Sequence, residues 1–445
     1  MKVGSPRRAF LSGTFGSLIG ARAGGVDAAQ AQTPPPPSPL PVLADLQPKG
    51  AVDEAYWLRV RREFNLRDRL IFMNNGTFGP ASRRVVEANE RMSRELAEDP
   101  VDNYRAAERD RVREHLAQFV GATPDEIALT RSTTEAVSIF AHGLDWRPGD
   151  EVVMATHEHA GGQGAYLTIA ERRQITLRFV DLPAPIEDPE QVVDLYAKAI
   201  TSKTRLIMAS HIMFVNGLLV PAREISSLGR SRGVLVSIDG AHAVGMIAVD
   251  IGAIGCDHYA AAGQKWLLAG SGTGLCYVKQ DAQKKLWPLM GHWDPAWTYP
   301  MTARKFEGNG QKNIPSIMGM SEAVALMNTI GKGNVEMRVR QLADRLRSGL
   351  REIKGVRLFT PRNPRLNCGI TTFAVDGVSN VALGSALLER HGIKVLVLPD
   401  DSGPTKAWNS VRVSTHIYNL PDEVDRLLEC VRDASARPEI AKISR

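Results

Sequence analysis

Four cysteines in 445 residues are too few and too scattered for a disulfide-stapled scaffold. Cys256, Cys276, Cys368 and Cys430 form no C-x-x-C pair, so a zinc cage is excluded as an organising feature. Cys256 and Cys276 flank one apolar segment, but spacing alone leaves their redox state open, and buried thiols are the simpler reading. No run of five or six like charges occurs, so the formal charge of +6 does not build a nucleic-acid stripe. Half of that excess comes from Lys2, Arg7, Arg8 and Arg22 against Asp27 at the start of the chain. Internal repeats are absent, and so are the GxxxxGK and GxGxxG glycine loops of nucleotide-binding proteins. What remains, 43% hydrophobic and 23% charged residues, is the composition of an ordinary globular enzyme, long enough for two domains.

The opening "SPRRAFLSGTFGSLIGARAGGVDAAQAQ" resembles a twin-arginine export signal. Arg7-Arg8 precede a weakly apolar stretch, Ala9 to Gly20, and Ala29-Gln30-Ala31 supplies a small-x-small cleavage pattern. The stretch is too short and glycine-rich to span a bilayer stably. "TPPPPSPLP" follows, a stiff spacer that cannot pack a core. The resemblance implies a signal over 1–31, a linker over 32–50 and passage of the folded protein through the twin-arginine translocase to the periplasm. A disordered tail with a chance Arg-Arg pair is the alternative.

The rest of the chain reads as α/β. Helical periodicity covers 52–66, 81–97 and 104–120, with a short extended run at 70–73. Apolar runs at 127–130, 151–155, 176–180, 206–210, 234–238 and 275–278 then alternate with helical stretches, the mark of βαβ units on a largely parallel sheet. Gly331 and Gly333 break the pattern. Beyond them a charged helix (335–353), strands at 369–375 and 394–398 and a last helix (422–434) suggest a smaller α/β domain. The expected division is an N-terminal segment (51–80), a large domain (81–330) and a small one (331–437).

Three motifs carry chemistry, each ambiguous alone. "LTRSTTEAVS" is a strand, a hydroxyl turn and a helix start, fit either to cradle an anion at Thr133 and Thr134 or simply to cap the helix. "SIDGAHAVG" ends an apolar strand in Asp239, a carboxylate that needs a cation such as a protonated pyridine nitrogen, or else caps its own turn. "GQKWLLAGSGTG" sets Lys265 among apolar residues, where desolvation would make it a nucleophile toward an aldehyde; the alternative is a snorkelling lysine. A phosphate cradle, a strand-end Asp and a lysine on a later strand together describe a pyridoxal phosphate (PLP) pocket.

At this point the sequence resembles the class V aminotransferases, fold-type I PLP enzymes that include cysteine desulfurases and isopenicillin N epimerase-like proteins. The resemblance runs from "FMNNGTFGP" through "ATHEHAGG" and "SHIMFVNGLLVP" to "VRVSTHIYN". It implies a large domain on a mostly parallel seven-stranded sheet with a smaller C-terminal α/β domain. It also implies that Lys265 carries the cofactor, Asp239 partners the pyridine nitrogen, and His242 holds the ring hydroxyl or the Asp. Thr133 and Thr134 would bind phosphate, His159 would stack on the ring, and Asn216 would contact the ring or its hydroxyl. Arg412 would clamp a substrate carboxylate, with Asn75 and Gly76 in the loop that closes over it. Two departures stand out: Ala262-Gly263-Gln264-Lys265 replaces the common Ser-x-His-Lys, and Gly310-Gln311 replaces a Gly-Thr that reaches the partner subunit's phosphate. Gln264 and Gln311 are therefore the expected substitutes, in a homodimer.

The activity implied is work at the α-carbon of an amino acid or similar small amine, with transamination first and epimerisation or lyase chemistry as alternatives. No cysteine stands in a recognisable desulfurase loop. The non-enzymatic alternatives are an inactive PLP fold and a periplasmic carboxylate-binding protein.

Overall fold

The computed structural model describes residues 53–100, 105–291, 302–399, 401 and 403–437. The expected export signal and spacer lie outside them. The strands are β1 (Ile71–Phe72), β2 (Ile127–Thr130), β3 (Glu151–Ala155), β4 (Thr176–Val180), β5 (Thr204–Ser210), β6 (Leu235–Asp239), β7 (His258–Ala262) and β8 (Gly274–Val278), then β9 (Val356–Leu358), β10 (Ile370–Val375), β11 (Ile393–Lys394), β12 (Leu396–Val397) and β13 (Val411–Ser414). The longer helices are α1 (Glu54–Arg61), α2 (Arg83–Glu98), α3 (Ala106–Val120), α4 (Thr133–Gly143), α5 (Ala160–Arg173), α6 (Pro189–Ala199) and α7 (Ala222–Ser231), then α8 (Ile314–Ile330), α9 (Lys332–Arg351), α10 (Asn380–His391) and α11 (Pro421–Ala436).

Seven strands form one sheet in the order β2-β8-β7-β6-β5-β3-β4. Its centre is parallel, because β3, β5 and β6 each return through a crossover that contains a helix. Only β8 runs the other way, antiparallel to both β7 and β2. β3 and β5 are buried along nearly their whole length, which explains their apolar runs. A four-stranded antiparallel sheet, β12-β13-β10-β9, follows α9, and β1 pairs parallel with β11.

Two expectations fail here. The run His258–Ala262 is a fully buried strand between β6 and β8, yet three of its five residues are alanine and read as a lead-in. Lys265 therefore lies in the turn after β7 and not on a strand. All four cysteines are free thiols. Cys256 and Cys276 are therefore unpaired in this structure.

Candidate active site

Since β2 opposes β8 and β8 opposes β7, the carboxyl ends of β2, β3, β5, β6 and β7 share one edge of the sheet. Ligands of open α/β sheets bind at that edge. The sequence places Asp239 at the end of β6, and Thr133, His159 and Lys265 just past the ends of β2, β3 and β7.

Asp239 closes β6, is 5% exposed, and accepts the Ala241 N–H at 2.9 Å. A β-carbon built on Gly162, in the first turn of α5, would lie 2.9 Å from Asp239 Oδ2, so only glycine lets that helix approach. Burial pushes the Asp239 carboxyl up, opposed by the Ala241 bond and the Lys265 charge. No ion pair reaches this carboxylate among the described residues. Lys265 is part-buried, and burial pulls its amine down to about 8, with Asp239 opposing and Arg412 adding to the fall. Its Nζ lies 3.4 Å from His242 Nε2. Asn75, fully buried, braces the turn: its Nδ2 reaches the Lys265 carbonyl at 3.5 Å and its Oδ1 accepts from Tyr418.

At the start of α4 the Ser132 hydroxyl caps the Glu135 N–H at 3.1 Å, which leaves Thr133 and Thr134 free of the cap. Thr133 Oγ1 is buried without a partner, and so is Gln264 Oε1. The Thr134 hydroxyl faces the first turn of α5, where a β-carbon on Gly161 would come within 2.6 Å. His159 caps α5, its Nδ1 accepting the Gly161 N–H at 2.9 Å, and its ring meets Phe214 edge-on at 4.9 Å. Desolvation and the Lys265 and Arg412 charges pull His159 down to about 4. A neutral ring beside orphaned hydroxyl and amide groups and two helix N-termini fits a phosphorylated aromatic group.

Arg412, on β13, is 2% exposed and pairs with no carboxylate among the described residues. Nη1 donates to the Phe214 carbonyl at 3.0 Å, and Nη2 donates to Thr77 Oγ1 at 3.1 Å and Asn74 Oδ1 at 3.4 Å. Arg412 Nε, Ser414 Oγ and Thr415 Oγ1 are buried and unpartnered. Burial pulls the guanidinium down to about 10. A β-carbon on Gly76 would fall 2.9 Å from both Arg412 Nη2 and Ser414 Oγ, so the "NNG" turn sits directly on the cation.

Not every expected residue converges. Asn216 commits Oδ1 to the Leu218 N–H and its carbonyl to Thr360, so it shapes the turn behind Phe214. Gln311, expected to act on the partner subunit's phosphate, is exposed in the segment before α8. Conversely, Asn74, Thr77, Phe214, Trp266 and Glu158 join the site without having been singled out. Glu158 is buried with Oε1 on the Ser210 N–H at 3.0 Å and Oε2 on the Ser210 hydroxyl at 2.5 Å, and Ser210 is the register partner of Asp239. Burial pushes Glu158 up to about 8, with the Asp239 charge adding to the rise.

Gly79 donates its N–H to the Gln264 carbonyl at 2.8 Å, and a β-carbon there would sit 2.1 Å from the Lys265 carbonyl. Gly79→Ala must therefore push the 74–79 turn off the lysine turn. A loss of about 1–3 kcal/mol is expected in thermal unfolding, with weaker cofactor retention on gel filtration. Wild-type behaviour in both measurements would contradict this packing.

Residues 84–427 match the family model for Aminotransferase class-V. The chain is 29% identical over 394 residues to the isopenicillin N epimerase of Streptomyces clavuligerus, covering 85% of this chain and 98% of that one. It is 30% identical over 398 residues to the isopenicillin N epimerase of Amycolatopsis lactamdurans, with coverage of 85% and 98%. A solved mutant of C-DES with glycine covalently linked to its PLP cofactor superposes with a TM-score of 0.75 at 25% identity, covering 84% of this chain and 99% of that one.

Proposed function

We propose that this chain, which belongs to the aminotransferase class-V family and takes PLP as its cofactor, acts at the α-carbon of a small substrate bearing an amine and a free carboxylate. The observation that carries the substrate class is Arg412: a buried guanidinium with no carboxylate partner among the described residues and an unpartnered Nε. A substrate carboxylate would supply the missing acceptor in a charge-assisted contact.

When bound, PLP supplies an electron sink for a carbanion at the α-carbon. Lys265 would anchor the cofactor's aldehyde end and, once released by the incoming amine, take the α-proton on Nζ. Asp239 would keep a proton on the ring nitrogen, and that cation answers the carboxylate's lack of one. Thr133, Thr134 and Gln264 would hold the phosphate, with the Gln264 amide turned to donate. His159 would cover the ring.

Transamination is the reading this geometry supports best. The lysine that removes the α-proton can return it on the cofactor side, and no second amine or acid is required. His159 is occupied as an acceptor by Gly161, which leaves it no free lone pair on Nδ1. Epimerisation is the second reading, favoured by the two epimerases aligned over 98% of their length. Desulfuration has less support. Cys256, Cys276 and Cys368 are buried, and burial pushes each thiol up. Incubating the loaded enzyme with single amino acids separates the outcomes. Conversion of the cofactor to its amine form supports transamination, whereas exchange of the α-proton in heavy water without that conversion means epimerisation.

Export through the twin-arginine route and a periplasmic location belong to the same proposal, supported by Arg7-Arg8 and the Ala29-Gln30-Ala31 pattern. Replacing Arg7-Arg8 with Lys-Lys should leave the protein in the cytoplasmic fraction. Unchanged periplasmic levels would refute the route. A homodimer, with Gln311 reaching the partner's phosphate site, completes the reading and is checked by sedimentation.

A further inference from the structure

The roles above leave one polar chain unused. Trp266 Nε1 lies 3.1 Å from His242 Nδ1, and His242 Nε2 lies 3.4 Å from Lys265 Nζ. An indole nitrogen can only donate, so His242 Nδ1 must present a lone pair. That excludes the imidazolium, which carries a proton on both nitrogens. It equally excludes the tautomer protonated on Nδ1. The form that remains carries its proton on Nε2, where it faces Nζ. An N–H donor facing a lysine nitrogen needs that nitrogen's lone pair. An ammonium there would set hydrogen against hydrogen.

The indole has little room to swing away. Trp266 is fully buried, and a β-carbon on Gly369 would come within 3.1 Å of its Cη2. Its ring lies 5.2 Å from the His416 ring, and its carbonyl sits 2.8 Å from His416 Nε2. On the other side, a β-carbon on Gly245 would fall 2.2 Å from the Trp266 carbonyl. The backbone and the ring are both clamped, so the direction of the N–H is set by the fold.

We propose that Trp266 is a positioning residue: its indole N–H holds His242 as the neutral Nε2–H tautomer, and that tautomer shifts Lys265 toward the free amine able to add to an aldehyde. The consequence for catalysis rests on Lys265 being the cofactor lysine, but the protonation state belongs to the cofactor-free chain and is measured there. Other groups act on the same pair. Burial disfavours the His242 cation, and the charges of Lys265, Arg412 and His159 add to that. Arg412 likewise disfavours the Lys265 ammonium, whereas Asp239 favours it. His416 packs against Trp266 and is itself held neutral by burial. Trp266 is the member of this set that dictates which His242 nitrogen carries the proton.

The test is competitive trace acetylation of lysines in the cofactor-free protein across pH, with mass spectrometry of the Lys265 peptide to give its titration midpoint. Wild type is compared with Trp266→Phe and with a chain carrying benzothienylalanine at 266, which keeps the bicyclic shape but has no N–H. Without the N–H, His242 can turn its Nε2 lone pair to the ammonium. The midpoint should then rise by about one unit, a roughly tenfold fall in free amine at neutral pH. Imidazole nitrogen NMR should show the His242 tautomer reversing. A midpoint and tautomer that stay at wild type in the benzothienyl chain would overturn the assignment, even if the phenylalanine variant fails to fold. PLP uptake is read separately by absorbance. A midpoint that shifts in a chain unable to take up PLP would sink the proposed function while bearing out the role of Trp266.

Discussion

Replacing Lys265 by alanine is expected to leave a folded chain that stays colourless with PLP and loses at least about 10⁴-fold in turnover. The size follows from two duties on one atom. A positioned general base contributes about 10²–10⁴ by itself, and the same amine is the cofactor's covalent anchor. The measurements are visible absorbance, borohydride trapping of cofactor on the Lys265 peptide, and turnover with an amino-acid substrate. Wild-type protein that is itself colourless and traps nothing would favour an inactive fold or a carboxylate-binding protein. Folding should survive the change, because the amine is not a stabilising group at neutral pH. Burial lowers its proton affinity from the ordinary 10.5 to about 8. Between those values the unfolded chain binds more protons than the folded one, so stability rises with pH across that window. The contribution is complete above the ordinary value and lost as pH falls through about 8. A difference of that size is worth up to about 3 kcal/mol. Cofactor-free wild type should therefore grow more resistant to urea from about pH 8 to 10, and Lys265→Ala should show less of that slope.

How much of this was legible in the sequence depends on the range of the interaction. Strands β2 and β3 fall where their apolar runs place them, because burial along a strand leaves a local record. β7 left no such record: alanine has weak strand preference, and its place is set by β6 and β8 on either side. Thr133, Asp239 and Lys265 were visible because each breaks a local pattern: a hydroxyl at a helix start, or a charge at the end of or within an apolar run. The Arg412 cradle was not. Asn74 and Thr77 lie more than three hundred positions before it, and only the pairing of β1 with β11 and the bridge from Asn74 to Ser414 bring them together. Asn216 shows the opposite failure, since its motif fits the family but its side chain closes a local turn. Trp266 read as apolar bulk, and its N–H acquires meaning only from the position of His242.

Arg412 carries the second large effect, with opposite consequences for catalysis and for folding. In Arg412→Met, kcat/KM for an amino-acid substrate should fall by about 10²–10³, since a desolvated carboxylate would be left without its cation. A related amine without the carboxylate should lose little, so the variant is diagnosed by the collapse of their ratio. Equal losses on both substrates would show that Arg412 holds the site's shape and does not bind the carboxylate. Stability should respond quite differently. Breaking a paired buried ion commonly costs about 3–5 kcal/mol, because its partner is left charged and alone. Arg412 has no such partner to strand among the described residues. Burial has lowered its proton affinity from the ordinary 12.5 to about 10, a standing penalty on the order of 3 kcal/mol at neutral pH that methionine removes. Against this stand its contacts with the Phe214 carbonyl and Thr77, each worth about 1–3 kcal/mol when an acceptor is left unsatisfied, whereas Asn74 Oδ1 keeps the Thr77 hydroxyl as a donor. The opposing terms are of similar size, so the cofactor-free variant should melt within a few degrees of wild type. A variant that keeps its fold and loses its choice of substrate would place the cost of burying Arg412 with binding, since the fold does not require that charge.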